Sequence, residues 1–218
     1  MQKSTKARKA ARPVPRTRGR PRAFDRARAL TQATCLFWRK GYEATSISDL
    51  TAAMGIGSPS LYAAFGSKEA LYAESLQHYS HTYENLVWSG FLGAATARGA
   101  VQALLTDSAN TLGAAEAARP AGCMVTLSAV GSEGYPELGE LVRSARKATL
   151  SRLEARFTEA VKSGELPRTV DIHALARFLQ TVQSGMSILA RDGARRAELL
   201  SVAKVAMLSW DAAVEKKA

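Results

Sequence analysis

Residues 45–72 read TSISDLTAAMGIGSPSLYAAFGSKEALY, and the reading of this stretch decides the fold. Ser46, followed three residues later by Asp49, has the spacing of a helix capping box. Ile47, Leu50, Ala53 and Met54 then recur at helical spacing. Gly55 and Gly57 flank Ile56 and permit a turn that would strain residues carrying a Cβ. Ser58 offers an N-cap oxygen, and Pro59 fits the first helical position, where its missing N–H costs nothing. Leu61 and Phe65 give that second helix an inward face, and Gly66 ends it. Ser67 caps a third helix, with Glu69 near its positive end. The stretch is thus predicted to be a helix-turn-helix, whose second helix, about 58–65, is the element that enters a DNA major groove.

Working upstream, residues 25–40 carry an apolar stripe of Leu30, Ala33, Phe37 and Trp38. Gly41 ends that helix and Tyr42 docks onto the three-helix core. Residues 1–22 hold nine Lys/Arg and no acid, whereas residues 23–218 hold 21 Lys/Arg against 19 Asp/Glu. The net charge of +11 therefore belongs almost entirely to the first 22 residues. They read as a disordered basic arm suited to nucleic acid, because they have almost nothing to bury. Arginines of such an arm insert into a narrow minor groove beside a helix-turn-helix, which points to Arg18, Arg20 and Arg22.

Downstream, a helix from Ser67 to about Trp88 carries Leu71, Tyr72, Leu76, Tyr79 and Tyr83 and forms a lever toward the rest of the chain. Further helices are expected at about 96–115, 123–130 and 137–163. On the last of these, the run Arg143, Arg146, Lys147, Arg152, Glu154, Arg156 and Glu159 reads as a solvated face, since acids are interleaved with bases. Residues 171–191 align Leu175, Phe178, Leu179, Val182, Met186 and Leu189 on one stripe. Residues 195–214 are apolar on nearly all sides, and a helix of that kind must be covered. A second subunit is the cover this pattern suggests, with burial inside one monomer as the alternative. The fold class is all-α, with an arm at 1–22, a helix-turn-helix domain at 23–70 and a larger helical domain at 71–218.

Two cysteines, Cys35 and Cys123, give no disulfide framework and are compatible with a reducing cytoplasm. No apolar run is long enough to span a bilayer, and the basic N-terminus lacks the apolar stretch of a secretory signal. There is no G-x-S-x-G, no phosphate-binding glycine loop and no H-E-x-x-H, so an enzyme is not expected and no cofactor is called for.

The segments GYEATSI at 41–47 and GIGSPSLYAAFGSKEAL at 55–71 resemble the DNA-binding domain of the TetR/AcrR family of bacterial transcriptional regulators. The resemblance covers about residues 24–75. It implies a ligand-responsive, sequence-specific regulator in the bacterial cytoplasm, most often a repressor. Such a protein binds a two-fold operator in double-stranded DNA as a homodimer through its last two helices, and a small-molecule effector releases it. It also implies that the Tyr62 hydroxyl and Lys68 contact phosphate. Thr45 and Ser46, with the start of their helix, face phosphate on the same reading. Gly57, Ser58, Pro59, Ser60 and Ala63 complete the DNA-facing set. That set lacks Arg, Asn or Gln for bidentate base contacts, so DNA shape, half-site spacing and the arm are expected to carry specificity. Candidate effector-lining residues are Trp88, Phe91, Cys123, Met124, Phe178, Gln183 and Met186, a mostly apolar set suited to a lipophilic or aromatic molecule. Two other readings stand beside this one. His78 and His81 with Glu74, or Cys123 with Met124, would suit a copper-type metal sensor, although no metal site is assigned. A non-specific nucleoid-type protein driven by the arm would bind any DNA with a steep salt dependence.

Overall fold

The computed structural model describes residues 24–113, 119–131 and 134–215. The basic arm, with Arg18, Arg20 and Arg22, lies outside the described residues. Within them the chain forms nine helices: α1 (Arg26–Lys40), α2 (Ile47–Met54), α3 (Ser58–Phe65), α4 (Lys68–Gly93), α5 (Ala97–Leu112), α6 (Met124–Leu127), α7 (Pro136–Lys162), α8 (Ile172–Arg191) and α9 (Arg196–Val214). None of them is long and apolar enough to cross a membrane.

The helix starts follow side-chain chemistry. Asp25, Ser46, Ser67, Thr96 and Asp171 each accept a hydrogen bond from a backbone N–H in the first turn of the helix that follows. At Ser46 the capping box is reciprocal, as the spacing of Ser46 and Asp49 predicts. Two details of the turn differ from expectation. The N-cap of α3 is Gly57, not Ser58, so Ser58 and Pro59 are the first two helical residues. Only Gly55 of the two turn glycines is left-handed, with φ 67° and ψ 33°, while Gly57 at φ −82° is ordinary extended backbone. The reversal is therefore made by one residue.

Two apolar clusters hold the molecule. The first joins α1–α3 to the start of α4 through Phe37, Tyr42, Leu50, Leu61, Leu71 and Tyr72, and it continues into Met124, Val130, Leu138 and Val142. The second packs the end of α4 with α5, the later part of α7, α8 and α9. Phe157 and Trp210 are fully buried there with ring centroids 5.0 Å apart, and side chains of that size contribute about 2–3 kcal/mol each by leaving water.

α8 and α9 correct the sequence reading in part. On α8, Leu175, Leu179 and Met186 face inward as expected, but Phe178 and Leu189 turn outward at 37% and 44% exposure. On α9, Leu199, Ala203, Ala206 and Trp210 are buried, whereas Val205 and Leu208 stand 63% and 69% exposed. The charged face of α7 also departs from a solvated stripe. Arg146 points inward and donates through Nε and Nη2 to the carbonyls of Val125, Thr126 and Ser128, at 2.7–3.2 Å. Arg152 lies over the Trp88 ring at 4.6 Å and pairs with Glu84.

Candidate nucleic-acid interface and effector cavity

Leu50, Met54, Leu61 and Phe65 anchor α2 and α3 in the first cluster. That orientation leaves Gly57, Ser58, Pro59, Ser60, Tyr62 and Ala63 exposed along one side of α3, with Tyr62 47% accessible. Ser46 is exposed and occupied as a cap: its Oγ accepts from the Asp49 N–H at 3.0 Å, and Asp49 Oδ2 accepts from the Ser46 N–H at 3.1 Å. The same carboxylate meets Lys40 Nζ at 3.0 Å, and these bonds, led by the Ser46 N–H, hold Asp49 below the usual carboxylate range.

Thr45 corrects the expectation of a phosphate-facing hydroxyl. It is fully buried, and its Oγ1 donates to the Gly41 carbonyl at 2.6 Å, so it holds the turn before α2. Lys68 sits at the start of α4 with Nζ 4.2 Å from the centroid of the Tyr42 ring. The Tyr42 hydroxyl donates to Glu69 Oε1 at 2.8 Å; burial first, and then that carboxylate, push the phenol well above its ordinary range. This contact fixes the place from which the Lys68 ammonium projects. Arg26, which the sequence reading did not single out, binds Glu74 with both guanidinium branches at 2.6 and 2.7 Å. It also lies over the Phe65 ring and donates to the Ala64 carbonyl, so it ties α1 and α4 to the end of α3.

A cavity of about 1000 Å³ lies between α4, α7 and α8 and is closed on one side by the segment around α6. Tyr79, Tyr83 and Trp88, with aliphatic Val87, line it from α4. Of the residues expected to line an effector site, Trp88, Cys123 and Gln183 border this cavity. Phe91 and Met186 are buried in the adjoining core, and Met124 faces the other way into the α1–α3 cluster. Phe178 lies on the outer face, where it lines a smaller groove of about 340 Å³ with Ser209 and Ala213. Gln183 Nε2 donates to the buried Ser108 Oγ at 3.0 Å, and the Cys123 N–H donates to Ser187 Oγ at 2.7 Å. Burial, and then Cys123 beside it, push the Tyr79 hydroxyl up. His78 is drawn toward α1, with Nε2 3.1 Å from Thr31 Oγ1, and His81 is exposed. Among the described residues no three His, Cys, Asp or Glu side chains come together in a metal-holding group.

Two connections tie the helical body to the α1–α3 unit. The first is the segment 123–130. Cys123, Val125 and Thr126 border the cavity, while Met124 and Val130 are buried with Tyr42 and Tyr72. The Tyr72 hydroxyl also lies 2.8 Å from Ser128 Oγ. The second is Arg191, in the last turn of α8. Its Nη2 donates to the Trp38 carbonyl at 2.8 Å, its Nη1 to the Arg39 carbonyl at 3.2 Å and its Nε to the Ala121 carbonyl at 3.0 Å. A guanidinium thus caps the negative end of α1 from another helix. Sequence reasoning missed this residue, because a basic side chain in a last turn reads first as a cap of its own helix.

Comparison with known proteins agrees with this geometry. Residues 29–74 match the family model described as "Bacterial regulatory proteins, tetR family". The transcriptional repressor ComR of Escherichia coli (strain K12) is 33% identical over 199 residues, covering 90% of this chain and 94% of ComR. The repressor BdcR of the same organism is 30% identical over 192 residues, covering 88% and 91%. Among solved structures, a cysteine mutant of the TetR family transcriptional regulator CifR, complexed with 26-bp operator DNA, superposes with a TM-score of 0.81 at 37% identity. The match covers 88% of this chain and 100% of that one. A helix-turn-helix with an exposed second helix, joined through α4 to an all-helical body of matching shape, places the chain in the TetR family of bacterial transcriptional regulators.

Proposed function

We propose that the chain acts as a homodimeric repressor that holds a two-fold operator through paired α3 helices and releases it when a small molecule occupies the cavity. The observation that carries the regulatory half is the segment 123–130, which gives Cys123, Val125 and Thr126 to the cavity wall and Met124 and Val130 to the core behind α3. An occupant that displaces Cys123, Val125 or Thr126 moves Met124 and Val130 with them, and so moves the packing under Tyr42 and Tyr72. Release then follows from linkage: the effector binds one dimer geometry better than the other.

The dimer reading is supported by the exposed apolar positions Ile188, Leu189, Val205 and Leu208 on α8 and α9. Such a patch marks an interaction surface. On DNA, the Tyr62 hydroxyl and the Lys68 ammonium reach phosphates, Ser60 bonds a base edge, and Pro59 and Ala63 touch thymine methyls. Arg18, Arg20 and Arg22 contribute from the minor groove, and the protein works in the bacterial cytoplasm with its DNA. The relatives named repressors and the operator complex of CifR support the same reading.

The test is fluorescence anisotropy with the DNA flanking the protein's own gene against scrambled DNA, over a salt series. A preference of about 10³-fold at physiological salt is expected, and Tyr62→Phe and Lys68→Ala each weaken it. Equal, steeply salt-dependent binding to both DNAs, untouched by those two changes, favours the nucleoid-type reading instead.

A further inference from the structure

We infer that the cavity takes an amphipathic organic anion: an apolar body against Tyr79, Tyr83, Val87 and Trp88, and an anionic head at Arg146, Lys147 and Arg177. This rests on the reading of the cavity as the effector site and goes further, to the charge of the molecule it accepts. The side chains bordering the cavity include five cations (Arg143, Arg146, Lys147, Arg152 and Arg177) and two acids (Glu84 and Glu140), a net of +3. Residues 23–218 as a whole carry only +2, from 21 Lys/Arg against 19 Asp/Glu, so the remainder of that stretch is net negative. Within residues 23–218, the side chains bordering this opening are therefore more positive than the rest.

The two acids are already committed. Glu140 pairs with Arg143 at 2.9 Å one turn along α7, and Glu84 pairs with Arg152. Arg146 is held by three neutral carbonyls, and Arg177 donates to Gln180 Oε1 at 3.1 Å. Among the described residues no carboxylate pairs with Arg146, Lys147 or Arg177. α7 and α8 therefore present three cations with no carboxylate partner among the described residues, on a cavity that Tyr79, Tyr83 and Trp88 also border. A cationic ligand would be repelled there, and a neutral one would leave the charge unused. Guanidinium and ammonium groups together suit a carboxylate, sulfonate or phosphate.

The experiment uses the full-length protein and two fluorescent probes that share an aromatic body, 8-anilinonaphthalene-1-sulfonate and the uncharged N-phenyl-1-naphthylamine. The anion is expected to bind at least about tenfold more tightly. The Lys147→Gln/Arg177→Gln double variant, whose substitutions are at exposed positions, is expected to lose about tenfold on the anion alone. Equal affinity for the two probes, an unchanged anion affinity in the double variant, or an equal loss on both probes would overturn the inference. Displacement of the sulfonate probe by decanoate and decyl phosphate but not by 1-decanol supports it, and the stronger of the two anions identifies the head group. Displacement by 1-decanol as good as by the anions overturns it. Operator anisotropy separates the two levels. If the anions bind the cavity of the wild type but not of the double variant and operator DNA stays bound, the charge inference stands and the effector reading fails.

Discussion

Gly55 and Gly57 look alike in sequence, yet they have different jobs. Gly55 has φ 67°, where a side chain is strained although space is free around it, and a Cβ on Gly57 would meet only Pro59 Cδ at 3.7 Å. Gly55→Ala should therefore destabilise the protein by about 1 kcal/mol in urea unfolding, while Gly57→Ala leaves the midpoint unchanged. Ser46 and Thr45 show the same divergence. The cap role of Ser46 was legible because it depends on a spacing of three residues. The burial of Thr45 was not, because its partner, the Gly41 carbonyl, is set by how the chain turns into α2. Asp49 links this scale to pH. Its carboxyl is held below the ordinary aspartate range, so its bonds stabilise the native state above that range, and the contribution is lost as pH falls through the lower native pKa. Unfolding midpoints measured from pH 6 down to 2 should fall less steeply in Asp49→Asn than in the wild type.

The helices themselves were readable because caps and periodicity are local, and α1, α2, α3, α7, α8 and α9 lie within a residue or two of their expected bounds. What connects the helices was not readable in this way. Arg146 sits in a run of alternating charges that resembles a solvated face, and only the fold brings three carbonyls of the 125–128 segment to it. Arg191 is the same case on a larger scale, since its partners on α1 lie more than 150 residues away in sequence. Three of the seven residues proposed for the cavity border it, because periodicity tells inward from outward and cannot tell one inward space from another. Arg191→Gln should cost about 1–2 kcal/mol in urea unfolding, from the carbonyls it leaves without a charged donor. It should also speed hydrogen exchange in the last turn of α1. Unchanged exchange there would remove Arg191 from the link between α8 and the reading face.

At the scale of the whole molecule, α4 and the segment 123–130 join the helix-turn-helix to a body that holds the cavity, and α8 and α9 leave exposed the apolar side chains proposed to meet a second copy. The apolar character of the final two helices was legible in sequence, but which side chains it left outside was settled only by packing around Trp210. Leu208, 69% exposed, belongs to that outer set. Leu208→Asp should shift sedimentation from dimer toward monomer and weaken operator binding with it, because one α3 then reads only one half-site. Deleting residues 1–20 should lower both the affinity and the preference for operator over random DNA, and an unchanged preference would remove the arm from sequence reading. If two α3 helices of a dimer read a two-fold site, selection of bound duplexes from a random pool by the full-length protein will reveal its symmetry. Enrichment of one inverted repeat is expected, with half-sites separated by about one helical turn or a multiple of it. A pool that stays random after repeated rounds, while still being retained by the protein, would exclude reading of a two-fold site by paired α3 helices.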